Sequence, residues 1–156
     1  MTVITHNRRK SRLSRIIDEA GGVSVGTALT QARANLDALQ PRSAAEIADR
    51  IAELASITAP EQPEDTMKVL GKAYRAANGV IDAGGPFGME DLCAVSIGLC
   101  DLIDAATPDR PFDWRVLPVY ARSLQLLLAM PEDAEGRRAV RKSLDRMVSL
   151  KLTQPD

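Results

Sequence analysis

The chain is poor in the residues that do chemistry. It holds one histidine, His6, and two cysteines, Cys93 and Cys100, in 156 residues. One histidine and two thiols do not make a zinc site, so no metal is expected. The two cysteines are seven residues apart. On a helix that spacing puts their Cα atoms about 10 Å apart, too far for a disulfide. They read as small core residues of a cytoplasmic protein. Aromatics are only 3% of the chain, which argues against base stacking and leaves no nucleic-acid partner expected. No run approaches 18 apolar residues, so no membrane span is expected. Basic residues at the N-terminus lack an apolar stretch behind them, so no signal peptide is expected either.

Net charge is also nearly absent, at −1. Its distribution is uneven. Arg8, Arg9, Lys10, Arg12 and Arg15 form a basic stretch without an acid. Arg137, Arg138, Arg141, Lys142, Arg146 and Lys151 form a second, with Asp145 the one acid among residues 137–151. The simplest reading is a solvated arm and a solvated helix face; attraction to an acidic partner is the sharper one.

What is plentiful is leucine and alanine, both good helix formers, in a 45% hydrophobic composition. Residues 1–22 read as a basic arm and residues 23–153 as one helical domain. Proline and glycine punctuate that domain into six segments. The first covers residues 24–39, with Ser24 as N-cap and an apolar row of Val25, Leu29, Ala32, Leu36 and Leu39. Pro41 is expected to end it. The second, residues 43–58, starts with a Ser43–Glu46 capping box. The others are expected over residues 65–83, 89–105, 113–130 and 131–152, with Pro118 in the first turns of the fifth. Gly84-Gly85-Pro86-Phe87-Gly88 must be a turn. The expected fold is therefore all-α, an antiparallel bundle of five or six helices.

Recognisable catalytic patterns are missing. No serine sits in a nucleophile motif with a histidine. The glycines between residues 21 and 26 precede a helix but lack the lysine and strand of a phosphate loop. Asp101 and Asp104 need further ligands to hold a divalent ion, so a solvated face is the plainer account. Trp114 reads as a hydrophobic anchor under the fifth helix; the alternative is that Phe112 and Trp114 rim a partner groove. No enzyme activity, no catalytic residue and no cofactor are expected.

The informative stretch is residues 73–104. It includes Ala76-Ala77-Asn78-Gly79-Val80-Ile81-Asp82-Ala83-Gly84-Gly85-Pro86-Phe87-Gly88-Met89-Glu90-Asp91-Leu92. This run resembles the histidine phosphotransfer (HPt) family, helical-bundle modules of bacterial two-component phosphorelays. The family pattern is a phospho-accepting histidine, then lysine three residues later, glycine four and ten later, and leucine fourteen later. Gly88 and Leu92 match the second glycine and the leucine. Asn78 stands for the histidine, Ile81 for the lysine and Asp82 for the first glycine. An amide is no substitute for an imidazole nucleophile. Isoleucine cannot neutralise phosphoryl oxygens, and Asp82 would repel them. The resemblance thus implies an HPt-like helical hairpin over residues 65–105 that has lost phosphotransfer. The whole chain also resembles the CheE family of small chemotaxis proteins, through Lys10-Ser11-Arg12-Leu13, Gly21-Gly22-Val23-Ser24-Val25-Gly26 and Leu99-Cys100-Asp101-Leu102-Ile103-Asp104. That similarity implies a role in chemotaxis signalling and carries no catalytic residues.

Helical geometry places Asn78 with Gly71, Arg75 and Asp82 on one polar arc, continued by Lys68, Lys72 and Gly79. Leu70, Ala73, Ala77, Val80 and Ile81 fall outside it, toward a core. An arc of this kind is also the outer face of any amphipathic helix. Phosphotransfer domains dock receivers through the corresponding face. The expected partner-binding residues are therefore Lys68, Lys72, Arg75, Asn78, Gly79 and Asp82. The expected partner is a response-regulator receiver domain or another chemotaxis protein. The alternative expectation is a structural subunit or homodimeric scaffold that packs through apolar helix faces.

Overall fold

The computed structural model describes residues 23–131 and 135–153. The expected basic arm, with His6, lies outside the described residues. Among the described residues there are five α-helices and no strand. They are α1 (Val25–Ser56), α2 (Thr66–Gly84), α3 (Glu90–Asp104), α4 (Val116–Ala129) and α5 (Glu135–Thr153). The fold is an all-α helical bundle. No helix among the described residues is long and apolar enough to cross a membrane. The chain divides into two units after Leu39. The boundary expected at residues 22 and 23 falls at the edge of the described residues.

Pro41 does not end the first helix; α1 runs through it. Proline removes one helical N–H donor and frees the carbonyl four residues earlier, that of Asp37. Every residue from 23 to 42 is exposed, so water can satisfy that carbonyl. The expected capping box at Ser43 is therefore absent, because residue 43 lies inside a helix. Its Oγ instead donates to the Ala83 carbonyl at 2.6 Å. Ser24 does cap α1: its Oγ accepts from the Thr27 N–H at 3.1 Å. Up to Leu39 the helix buries no side chain.

From Gln40 onward the chain forms the bundle. Ile47, Ile51 and Leu54 of α1 are fully buried. They join Leu70, Ala73, Ala76, Ala77 and Val80 of α2 in one hydrophobic cluster. Alanines at successive turns of α2 let neighbouring backbones come close. Two tight 3₁₀ turns flank α2, at Pro63–Asp65 and Gly85–Phe87. The second ends on Gly88, whose φ of 69° is in the left-handed region that favours glycine. The turn expected over residues 84–88 is thus real, apart from Gly84, which closes α2.

Direction follows from the pairing of residues. The Cys93 thiol lies 3.9 Å from the Ile81 carbonyl, and Tyr74 feels the charge of Asp104, so α2 and α3 are antiparallel. The Tyr120 hydroxyl of α4 lies beside Gly98 of α3. Val148 of α5 lies against the same glycine. Helix α3 packs against α2, α4 and α5, which explains why Leu92, Val95, Ser96, Leu99, Cys100, Leu102 and Ile103 are all buried along it. Cys100 is buried and Cys93 half-buried. Burial pushes the Cys100 thiol up to about 11, so it stays protonated and inert near neutrality.

The basic α5 was expected to be a solvated face. Arg137 corrects that expectation, because its side chain is only 7% exposed. Its Nε donates to Asp91 Oδ2 at 2.9 Å, and its Nη1 donates to the Leu127 and Met130 carbonyls at 2.5 and 2.8 Å. Arg141 reaches the other oxygen of Asp91 at 3.4 Å. At the far end of α5, Lys151 pairs with Asp113, and the Lys151 carbonyl accepts from Arg110. Arg115 first, then Lys151, hold the Asp113 carboxyl well below the usual range. Phe112 is buried and meets half-buried Trp114 edge-on, with ring centroids 5.3 Å apart. Trp114 therefore serves as the expected anchor beside the start of α4.

Among the described residues, two buried polar atoms have no hydrogen-bond partner: Ser96 Oγ and Tyr120 Oη. Burial raises the Tyr120 pKa, so the phenol stays neutral while its hydroxyl goes unpaired. An unmade hydrogen bond in the interior costs about 1–3 kcal/mol. Tyr120→Phe is expected to leave stability unchanged or raise it by about 1 kcal/mol; urea denaturation measures this.

The Arg137 contacts generate a second expectation. Hydrogen bonding by Arg137, then by Arg141, lowers the Asp91 pKa against the opposing effect of burial. A depressed carboxyl stabilises the fold above its unfolded value of about 3.9, and that contribution is lost as pH falls through the folded value. Asp91→Ala leaves the Arg137 charge buried against carbonyls alone and is expected to cost about 3 kcal/mol at pH 7. In denaturation curves from pH 7 to pH 3, the gap between wild type and Asp91→Ala is expected to narrow below about pH 4.

Candidate functional site

Helix α2 turns two faces outward from one sequence. Leu70, Ala73, Ala76, Ala77 and Val80 go to the core. Lys68, Lys72, Arg75, Asn78 and Asp82 are exposed, and Gly79 is half-buried. The polar arc is one face, but it is not one site. Arg75, Asn78, Gly79 and Asp82 line an open groove of about 640 Å³ together with Glu46 and Arg50 of α1 and Tyr74. Lys68 and Lys72 line a separate hollow beside it, walled by the loop from Thr58 to Asp65. There Lys68 approaches Asp65 at 3.8 Å.

Gly79 organises the groove. A Cβ built on it would lie 2.9 Å from Arg50 Cδ and 3.1 Å from Arg50 Cγ and Nε. The absence of a side chain is what lets Arg50 lie flat across α2. Arg50 is held there from its own helix. Its Nε donates to Glu46 Oε1 at 2.8 Å, and its Nη1 donates to Glu53 Oε2 at 3.1 Å. Hydrogen bonding to Glu46, then to Glu53, raises the Arg50 pKa. Both pairs are exposed on the helix surface, so they order the side chain more than they stabilise the fold.

Asn78 sits at the groove's edge, its Nδ2 donating weakly to Asp82 Oδ2 at 3.4 Å. This arrangement has little to offer a phosphoryl group. Asn78 has no basic nitrogen to attack phosphorus. The cation nearest Gly79, Arg50, is already committed to Glu46 and Glu53, and Asp82 adds negative charge to the same groove. What the site does offer is a concave surface lined by both charges, Glu46 and Asp82 with Arg50 and Arg75.

Glu46, Arg50 and Tyr74 were not among the expected site residues. The spacing of Glu46, Arg50 and Glu53 at i, i+4 and i+7 is a helix-face ion-pair signal legible in sequence. That Arg50 crosses to Gly79 is a tertiary fact. No family model, no curated protein and no solved structure matches this chain.

Gly79→Ala is expected to release Arg50 from the groove without unfolding the bundle. Alanine improves helix propensity by about 0.8–1.0 kcal/mol, which offsets the cost of moving a flexible side chain. Thermal melts are expected to shift by only a few degrees, about 1 kcal/mol or less. The Arg50 Nε resonance is expected to lose its dispersion.

Proposed function

We propose that this chain is a noncatalytic adaptor in bacterial chemotaxis or two-component signalling, which binds a response-regulator receiver domain through the outer face of α2. The observation that carries the reading is the composition of the groove. An exposed helix face with Asn78 and Asp82 at the histidine and first-glycine positions of the phosphotransfer resemblance keeps a docking surface and lacks the nucleophile. The α2–α3 hairpin supports it, since Gly88 takes the left-handed turn conformation at the position that the resemblance reserves for glycine. An inactive relative of a phosphotransfer domain holds a receiver without exchanging phosphate. It acts by sequestering the regulator or by competing with the kinase for it. Lys68, Lys72 and Arg75 supply the positive charge at the rim, and Asn78, Gly79 and Asp82 the close contact.

The test is calorimetric titration of the protein with its host's single-domain chemotaxis receivers, with and without beryllofluoride as a phosphorylation mimic. Binding at about micromolar Kd or tighter is expected. The double substitution Lys72→Glu and Arg75→Glu is expected to weaken it about tenfold or more, because rim charges steer association. No heat with any receiver, or affinity unchanged by the double substitution, removes this face from the reading.

A further inference from the structure

The basic run of α5 divides between two faces. Arg137, Arg141 and Lys151 turn toward the bundle, where they pair with Asp91 and Asp113. Val140, Leu144, Met147 and Val148 of the same side join the hydrophobic cluster. Arg138, Lys142 and Arg146 turn the other way and are exposed. Four residues apart, they form one row along the helix, about 6 Å from one to the next. Among the described residues, none of these three cations has an ion-pair partner.

The row is unfavourable in the free protein, because like charges four residues apart on a helix repel each other. On α1 the same spacing carries opposite signs: Arg50 stands between Glu46 and Glu53 and pairs with both. The two acids of α5 do not relieve the row. Glu135 and Asp145 each lie three residues from one of its cations, Arg138 and Lys142, and neither pairs with it. What the free chain lacks there is negative charge at the spacing of the row.

We infer that the outer face of α5 docks an acidic α-helix of a protein partner, one that carries carboxylates four residues apart. Such a helix advances by the same step of about 6 Å, so each carboxylate meets one cation. Its width, about 10–12 Å with side chains, suits a single row. A nucleic-acid duplex or an anionic membrane extends beyond the row. Either would also meet Asp101 and Asp145, which are exposed and lie close enough to one another that both act on the buried Tyr120 hydroxyl. This surface shares no residue with the α2 groove and does not depend on it.

Nuclear magnetic resonance titration of the full chain tests it, with a stapled, alanine-rich helical peptide carrying glutamate at every fourth position. A control peptide of the same composition carries glutamate at every fifth, which scatters the charges around the helix. In about 20 mM salt the first peptide is expected to bind with a Kd of about 1 mM or tighter. It is expected to shift the amides around Arg138, Lys142 and Arg146. The control peptide is expected to bind about tenfold more weakly, as is the first peptide in about 150 mM salt. The triple variant Arg138→Gln, Lys142→Gln and Arg146→Gln is expected to lose the binding and to melt no lower than wild type, since it removes the repulsion. Three results overturn the inference: no binding of the first peptide, equal binding of the two peptides, or binding unchanged in the triple variant. Tighter binding of duplex DNA or phosphatidylglycerol vesicles at about 150 mM salt, lost in the same variant, also overturns it and assigns the row to that polyanion.

Discussion

Arg137 is the residue on which the geometry of the bundle turns. One guanidinium, almost wholly removed from water, closes the C-terminal end of α4 through the Leu127 and Met130 carbonyls and the N-terminal end of α3 through Asp91. Both choices agree with the helix dipole. A carboxylate in the first turn of α3 meets the partial positive charge there, and a cation at the last carbonyls of α4 meets the negative end. Burying a charge is costly unless every donor finds an acceptor. The arginine therefore fixes where α3, α4 and α5 meet more strictly than apolar side chains, which tolerate sliding.

From that fixed point the remaining bundle follows by packing. Helix α3 is buried along most of its length, so its position decides where α2 can lie. The left-handed Gly88 closes the hairpin between them. Gly79 then permits Arg50 of α1 to cross. The candidate groove is a consequence of one small residue on α2, Gly79, and one arginine on α1, Arg50. Its charge is balanced within the groove itself, which suits recognition of a protein surface better than capture of an anion.

The two halves of α1 use the same helix in different ways. From Gln40 onward its apolar residues are spent in the bundle. Before that point a similar row, Val25, Leu29, Leu36 and Leu39, stays exposed. A sequence that places leucines in water at regular intervals without a partner risks non-specific association.

Much of the architecture was legible in the sequence, for a physical reason. Helical period, Ser24 as a cap, and the Gly-Gly-Pro-Phe-Gly turn are local signals, set by φ/ψ preferences and by which side chains avoid water. They located α2, α3, α4 and α5 to within a few residues. They also placed Asn78 on an exposed arc. Pro41 misled, because whether a proline ends a helix depends on who satisfies the freed carbonyl, and an exposed backbone leaves that to water. The same locality hid Arg137, which reads as one more cation in a basic run. Only the meeting of three helix ends, brought together from residues 91, 127 and 130, decided that this cation would be buried. Likewise the sequence determined that Lys68, Lys72, Arg75, Asn78, Gly79 and Asp82 share a helix face. The tertiary structure decided that Lys68 and Lys72 belong to one hollow and the rest to another, because loop and α1 residues distant in sequence wall each of them.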